Sequence, residues 1–149
     1  MKPRTTWILI ADGARARILA NLGPGKGITP VAGGVLESDH APSRELASDR
    51  PGRTFKSADV MRHAIDPAQD PHRELKHAFA ERLAALIDKR LAENTFDRLI
   101  LVAPPVTLGD LRAALSKPVR ERVTAEIDND LTKIPLEELP RHLASVLAV

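Results

Sequence analysis

Apolar and polar positions change their spacing about halfway along the chain. Near the start, Trp7–Ala11 is a continuous apolar run, and in Ala14–Ala20 Arg15 and Arg17 alternate with Ala16 and Ile18. Successive side chains of a strand point to opposite faces, so the pattern predicts two β-strands with Arg15 and Arg17 sharing one face of the second. Asp12-Gly13 between them is a strong short hairpin signal. "NLGPGKG" at 21–27 reads as a turn, and "ITPVAGGVLES" at 28–38 as a third strand in which Gly33-Gly34 marks a bulge or bend.

Residues 38–70 keep no period and contain Pro42, Pro51, Gly52 and Pro67. A structureless stretch of that length is uncommon inside a compact domain and calls for a functional reason. Beyond it the spacing becomes helical. Asp70-Pro71 supplies an N-cap and a proline for the first helical position. Leu75, Phe79, Leu83, Ile87 and Leu91 then recur on one stripe of a long helix ending near Asn94.

"FDRLILVAP" at 96–104 is nearly all apolar, as a strand buried on both faces requires. Thr107 and Asp110 stand at capping-box spacing for a short helix through Leu115. "VRERVTAEID" alternates as a fifth strand, with Val119, Val123, Ala125 and Ile127 on one side, and a last helix starts near Pro135 or Pro140 and runs to the end. The order is βββαβαβα. Strands joined by turns should be antiparallel, and strands fed by helical crossovers parallel to a neighbour. The expected fold is therefore α/β with a mixed five-stranded sheet, the element order of the ribonuclease H-like architecture. That order says nothing by itself about activity.

At 149 residues the chain fits one domain spanning 1–149, with a long basic loop at 38–70. With three Phe, one Trp and no Tyr, the core must be built from Leu, Val, Ile and Ala. The absence of cysteine excludes disulfides, thiolate metal sites and a cysteine nucleophile. "WILIA" is too short for a signal-peptide core, and no run approaches the roughly 20 apolar residues of a membrane helix, so a cytoplasmic location without membrane contact is expected. The net charge is only +2, yet it is uneven. Lys2, Arg4, Arg15 and Arg17 face Asp12 alone in the first twenty residues, and Arg50, Arg53, Lys56 and Arg62 face Asp59 alone at 50–62. Local basic surface can steer a polyanion even at small net charge.

Few residues fit catalysis. A two-metal nuclease needs several converging carboxylates. Asp12 at the end of the first strand, with Asp128 or Asp130 at the end of the fifth, could serve a metal-dependent hydrolase, but the fourth strand runs into "APPV" with no carboxylate. "DND" at 128–130 reads more simply as a turn or cap. His72 and His77 are five apart, off the one-face spacing that metal pairs use. No phosphate loop, nucleophile elbow or dinucleotide fingerprint occurs, so neither cofactor nor metal is expected.

The remaining feature is "DRPGRTF" at 49–55. Pro51 stiffens it, and Gly52 permits close backbone approach. Arg50 and Arg53 offer planar forks suited to phosphate, and Phe55 can stack on a base or anchor the loop. The plainer reading is a surface turn pinned by Phe55, its arginines paired with Asp49 or Glu45.

"WILIADGARARIL", "DRPGRTF", "FDRLILVAPPVTLGDLRAAL" and "VRERVTAEIDNDLTKIPLEELPRHL" together resemble the bacterial host attachment family (protein required for attachment to host cells) over nearly the whole chain. That family in turn is distantly similar to the middle domain of archaeal and eukaryotic peptide-chain release factors. The resemblance implies a ribonuclease H-like fold and an association with ribosomes or transfer RNA. In release factors the long loop carries Gly-Gly-Gln, which promotes peptidyl-transfer-RNA hydrolysis. No Gly-Gly-Gln occurs here, so that reaction is not implied.

The expectation is a non-enzymatic, RNA- or ribosome-associated domain. Its contact is Arg44–Arg62, with Arg50, Gly52, Arg53, Phe55 and Lys56, assisted by Arg15 and Arg17. Two alternatives stand beside it. One is a protein-interaction module acting indirectly in attachment, with a protein partner or self-association through strand edges. The other is a hydrolase using Asp12 and Asp128.

Overall fold

The computed structural model describes residues 4–38 and 71–149. Strands β1 (Thr6–Ala11) and β2 (Arg15–Asn21) form the expected hairpin, in register from Thr6 opposite Asn21 to Ala11 opposite Ala16. β3 (Thr29–Glu37) pairs antiparallel with β2, and its register shifts between Arg17 and Leu19. The expected Gly33-Gly34 irregularity lies there: Gly33 has φ +72°, and a Cβ on Gly34 would come within 2.8 Å of the Val31 carbonyl oxygen.

Helix α1 (Pro71–Ala92) crosses the sheet and delivers the chain to β4 (Arg98–Ala103), which lies parallel to β1. Phe79, Leu83 and Ile87 of the expected stripe are buried, whereas Leu75 is 40% exposed. Each fully buried Leu or Ile contributes about 1.5–3 kcal/mol through lost contact with water. Asn94, at φ +59°, ends the helix one residue pair past Ala92, and Thr95 Oγ1 donates to the Arg90 carbonyl oxygen at 2.8 Å.

The next helix, α2 (Pro105–Ala114), begins two residues before the expected capping box. Pro104 is its N-cap residue without any side-chain cap, and Thr107 and Asp110 are buried within the helix instead. Prolines win here because Pro105 at the first helical position sets φ and lacks the amide that would go unpaired. Residue 119 is a second correction. Ser116 caps a short helix, α3 (Lys117–Arg120), so Val119 belongs to no strand. In β5 (Val123–Asp128) the partners shift between Leu99–Val123 and Ile100–Ala125, leaving Thr124 extra. One extra residue inverts the side-chain alternation. Val123 therefore joins the core under α1 and α2, while Ala125 and Ile127 join the opposite core.

That opposite core is closed by Leu131, a 3-10 turn (Leu136–Glu138) and helix α4 (Leu139–Leu143), which stops short of the expected chain-end helix. The described residues thus form a mixed five-stranded sheet in the order β3-β2-β1-β4-β5, between α1–α3 on one face and the C-terminal segment on the other. β1 and β4 lie between both cores, which is why Trp7–Ala11 and Leu99–Ala103 are apolar without a break. Among the described residues no helix is long and apolar enough to cross a membrane.

Candidate functional site

The sheet order dictates where a ligand site can form. From β1 the chain turns toward β2 and β3; from β4 it proceeds the other way, to β5. In open α/β sheets such a reversal leaves a crevice outside the carboxyl ends of the two strands. A cleft of about 540 Å³ lies there, walled by the β1–β2 turn (Asp12 to Arg15), by His72 and Lys76 of α1, and by the segment 104–107 that follows β4. Its volume falls within the range of small-ligand sites.

The wall from β1 is rigid. Asp12 Oδ1 accepts hydrogen bonds from the amides of Ala14 (2.8 Å) and Arg15 (2.7 Å), and the Asp12 amide donates to the Arg15 carbonyl oxygen at 2.9 Å. Asp12 Oδ2 lies 3.4 Å from Thr132 Oγ1, which donates to Asp130 Oδ1 at 2.6 Å. The Asp12 carboxylate is thereby spent on closing the hairpin and holding the segment after β5. Gly13 is the contact point with α1: a Cβ there would sit 2.6 Å from Lys76 Cγ and 2.8 Å from Cδ. Only a glycine lets the Lys76 stem lie across the turn. Lys76 makes no hydrogen bond or ion pair among the described residues. Arg15 engages Glu37 through Nε alone, at 3.4 Å.

The wall from β4 is different in character. Pro104 and Pro105 are rigid and apolar, and Val106 is 54% exposed. The amides of Val106 and Thr107 belong to the first turn of α2 and have no carbonyl within the helix to bond; the first bond of that turn runs from Leu108 to Pro104. Partial positive charge at this end of α2 adds to Arg15 and Lys76.

Below the cleft, α1 and α2 are locked together. Arg73 grips the buried Asp110 through two bonds of 2.7 Å, and His77 Nδ1 lies 3.5 Å from the same carboxylate. The Arg73 hydrogen bonds, helped by His77, hold the Asp110 carboxyl below the usual range, and the same contact raises the Arg73 guanidinium. Histidines 72 and 77 serve different places: His72 lines the cleft and His77 joins this clamp.

Of the residues singled out in the sequence, Arg15 is at the cleft. Arg17 flanks a smaller recess of about 210 Å³ with Arg15 and Thr132. Its Nη1 donates to the carbonyl oxygens of Ile134 (2.6 Å) and Thr132 (3.4 Å), tying β2 to the C-terminal segment. Burial lowers the pKa of the Arg17 guanidinium. Arg50, Gly52, Arg53, Phe55 and Lys56 lie outside the described residues. The flanks of their loop do not: the Ser38 amide donates to the Ala14 carbonyl oxygen at 2.8 Å, and His72 follows Pro71 at the cleft wall. The chain therefore leaves and re-enters the described fold beside the cleft.

Asp128 lies on the side of β5 occupied by Arg112, whose guanidinium is raised chiefly by its bonds to Glu126 and also by Asp128. Among the described residues no group of three or more His, Asp or Glu side chains could hold a metal ion. Lys76 and the 104–107 wall had escaped the sequence reading. The available signal was His72 and Lys76 four apart in the first turns of a helix, hence on one face.

Fold and cleft define an α/β domain with a mixed sheet and a partly cationic crevice at the reversal point between two parallel strands. A family model described as protein required for attachment to host cells matches residues 7–143, from β1 to α4, and the chain belongs to that family. No curated protein matches the chain.

Proposed function

We propose that this family member is a non-enzymatic, cytoplasmic RNA- or ribosome-associated domain that meets phosphates around the carboxyl-end cleft. The observation carrying this reading is the placement of Arg15 and Lys76 on the cleft walls, near Ser38 and His72, between which the sequence carries the basic stretch Arg44–Arg62. Arg50 and Arg53 then grip further phosphates, with Gly52, Phe55 and Lys56 beside them. Arg17 is left out of the contact because its guanidinium already serves two carbonyls. The strand order, with β2 alone reversed, supports the ribonuclease H-like part of the reading and, through it, kinship with the release-factor middle domain. Hydrolysis through Asp12 and Asp128 finds less support, since Asp12 closes its hairpin and Asp128 sits by Arg112.

Filter binding to ribosomes and total RNA at about 50 and about 200 mM salt tests this. Bound phosphates release counterions, so affinity should fall steeply across that interval. Lys76→Gln and the double variant Arg50→Ala/Arg53→Ala should each weaken binding and flatten the salt slope. No binding by the unaltered chain at the lower salt sinks the reading.

One observation favours a second reading, a protein-interaction module serving the attachment named in the family's description. β3 is an edge strand, mostly exposed, and its Val35 is 80% exposed. Such an edge can pair with a strand of another chain. This partner would bind with little salt dependence.

A further inference from the structure

We infer that the cleft is a specific pocket for one nucleoside phosphate monoester, with the phosphate between Arg15 and Lys76 and the base against Pro104–Val106. This deepens the RNA reading and rests on it only for the source of the ligand. A surface that merely tracks a nucleic-acid backbone needs a shallow stripe of cations. Here instead is a bounded space of about 540 Å³ whose two walls differ in chemistry. Arg15 keeps both terminal guanidinium nitrogens without a partner among the described residues, since Nε alone meets Glu37. That pair of nitrogens fits two oxygens of one phosphate. Lys76, also without a partner among the described residues, lines the same cleft from α1.

The Lys76 position is built rather than incidental. Its stem packs on Gly13, where a Cβ would come within 2.6 Å of Lys76 Cγ, and the side chain lines the cleft. The opposing charges are Asp12 and Glu37. Asp12 is occupied by two amides and by its neighbour Thr132, and Glu37 is paired with Arg15. The segment 104–107 adds two consecutive prolines and an exposed valine to the same lining, apolar side chains beside the amides that open α2. A cation pair sharing a cleft with apolar side chains matches a molecule with a dianionic end and a planar, weakly hydrated body. Inorganic phosphate would leave the proline wall bare, and a nucleoside would leave the cations bare. The phosphate monoester of a nucleoside satisfies both, whether as a free nucleotide or as the phosphorylated end of an RNA chain.

The test uses the full chain and fluorescence anisotropy of labelled single-stranded RNA carrying a 5′-monophosphate, a 3′-monophosphate or neither. Unlabelled nucleoside monophosphates, nucleosides and inorganic phosphate are the competitors, with direct calorimetry for the mononucleotides. The expected result is mononucleotide binding at least tenfold tighter than that of the nucleoside or of inorganic phosphate. Tighter binding of one phosphorylated RNA than of the unphosphorylated one identifies an RNA end as the source. Mononucleotide binding without that preference identifies a free nucleotide. Gly13→Ala should abolish the mononucleotide preference by displacing Lys76, with a melting temperature close to that of the unaltered chain; Lys76→Gln, which leaves the turn untouched, should do the same. Salt-sensitive RNA binding that ignores terminal phosphates, with no mononucleotide binding, overturns this inference and leaves the RNA reading standing. Mononucleotide binding without RNA binding does the reverse. Inorganic phosphate binding as tightly as the mononucleotides also overturns it, because the apolar wall would then contribute nothing.

Discussion

The two ends of the central strands β1 and β4 are finished in opposite ways. At the amino ends, Trp7 stacks on Phe96 with ring centroids 4.9 Å apart, so two of the chain's four aromatic residues seal one edge of the core. The Thr5 amide donates to Asp97 Oδ2 at 2.8 Å, and the Asp97 amide returns a bond to the Thr5 carbonyl oxygen at 2.9 Å. At the carboxyl ends the same strands run into Gly13 and into Pro104-Pro105, residues that leave space, and charged side chains from α1 and β2 border the space. Local packing closes one end, and its absence leaves a cleft at the other. Substitutions at the two ends should accordingly separate folding from binding.

The largest effect should come from Trp7→Ala, which removes a buried ring and its stacking partner's contact. A loss of about 3–5 kcal/mol in unfolding free energy is expected, read by urea titration. Arg17→Met tests whether the second predicted arginine belongs to the fold. Two carbonyls lose a charged donor, and about 1–3 kcal/mol of stability should go with it, while RNA affinity measured on the folded fraction changes little.

Asp110→Asn should lower the melting temperature by a few degrees at neutral pH. The folded-state pKa of Asp110 is depressed, so its contribution is present above the ordinary aspartate range and is lost as pH falls through the folded value. The gap between the unaltered chain and the variant should therefore close at acid pH, as melting curves at pH 7 and pH 3 would show. Smallest in stability is Lys76→Gln, within about 0.5 kcal/mol because the side chain is exposed and unpaired, yet it should weaken RNA binding several-fold. A variant of the amino end that spared stability but abolished binding would break the contrast.

Much of this was legible in the sequence. The hairpin, the doubly buried β4, the long helix and the mixed sheet followed from spacing alone, because strand and helix periods differ and the core enforces them. What escaped was decided by single residues acting against a pattern. Thr124 inverts the alternation of β5, which periodicity over so short a strand cannot show. Pro105 moves the start of α2 ahead of a capping box that goes unused. For the cleft, Arg15 was recognisable as part of a basic cluster. Lys76 was not, since its place at the cleft rests on packing against Gly13, distant in sequence and brought near only by the fold. Arg17 looked equivalent to Arg15 by position, and only the C-terminal segment packed over β2 distinguishes them.

The central claim is that the carboxyl-end cleft is the place of RNA contact. It is tested most directly by following backbone amide resonances while a short single-stranded RNA is added at low salt. The account predicts the largest shifts at Gly13, Ala14, Val106 and Thr107, with Trp7, Phe96 and Asp97 unmoved. Shifts confined to the β3 edge around Val35, or none at all, would contradict it.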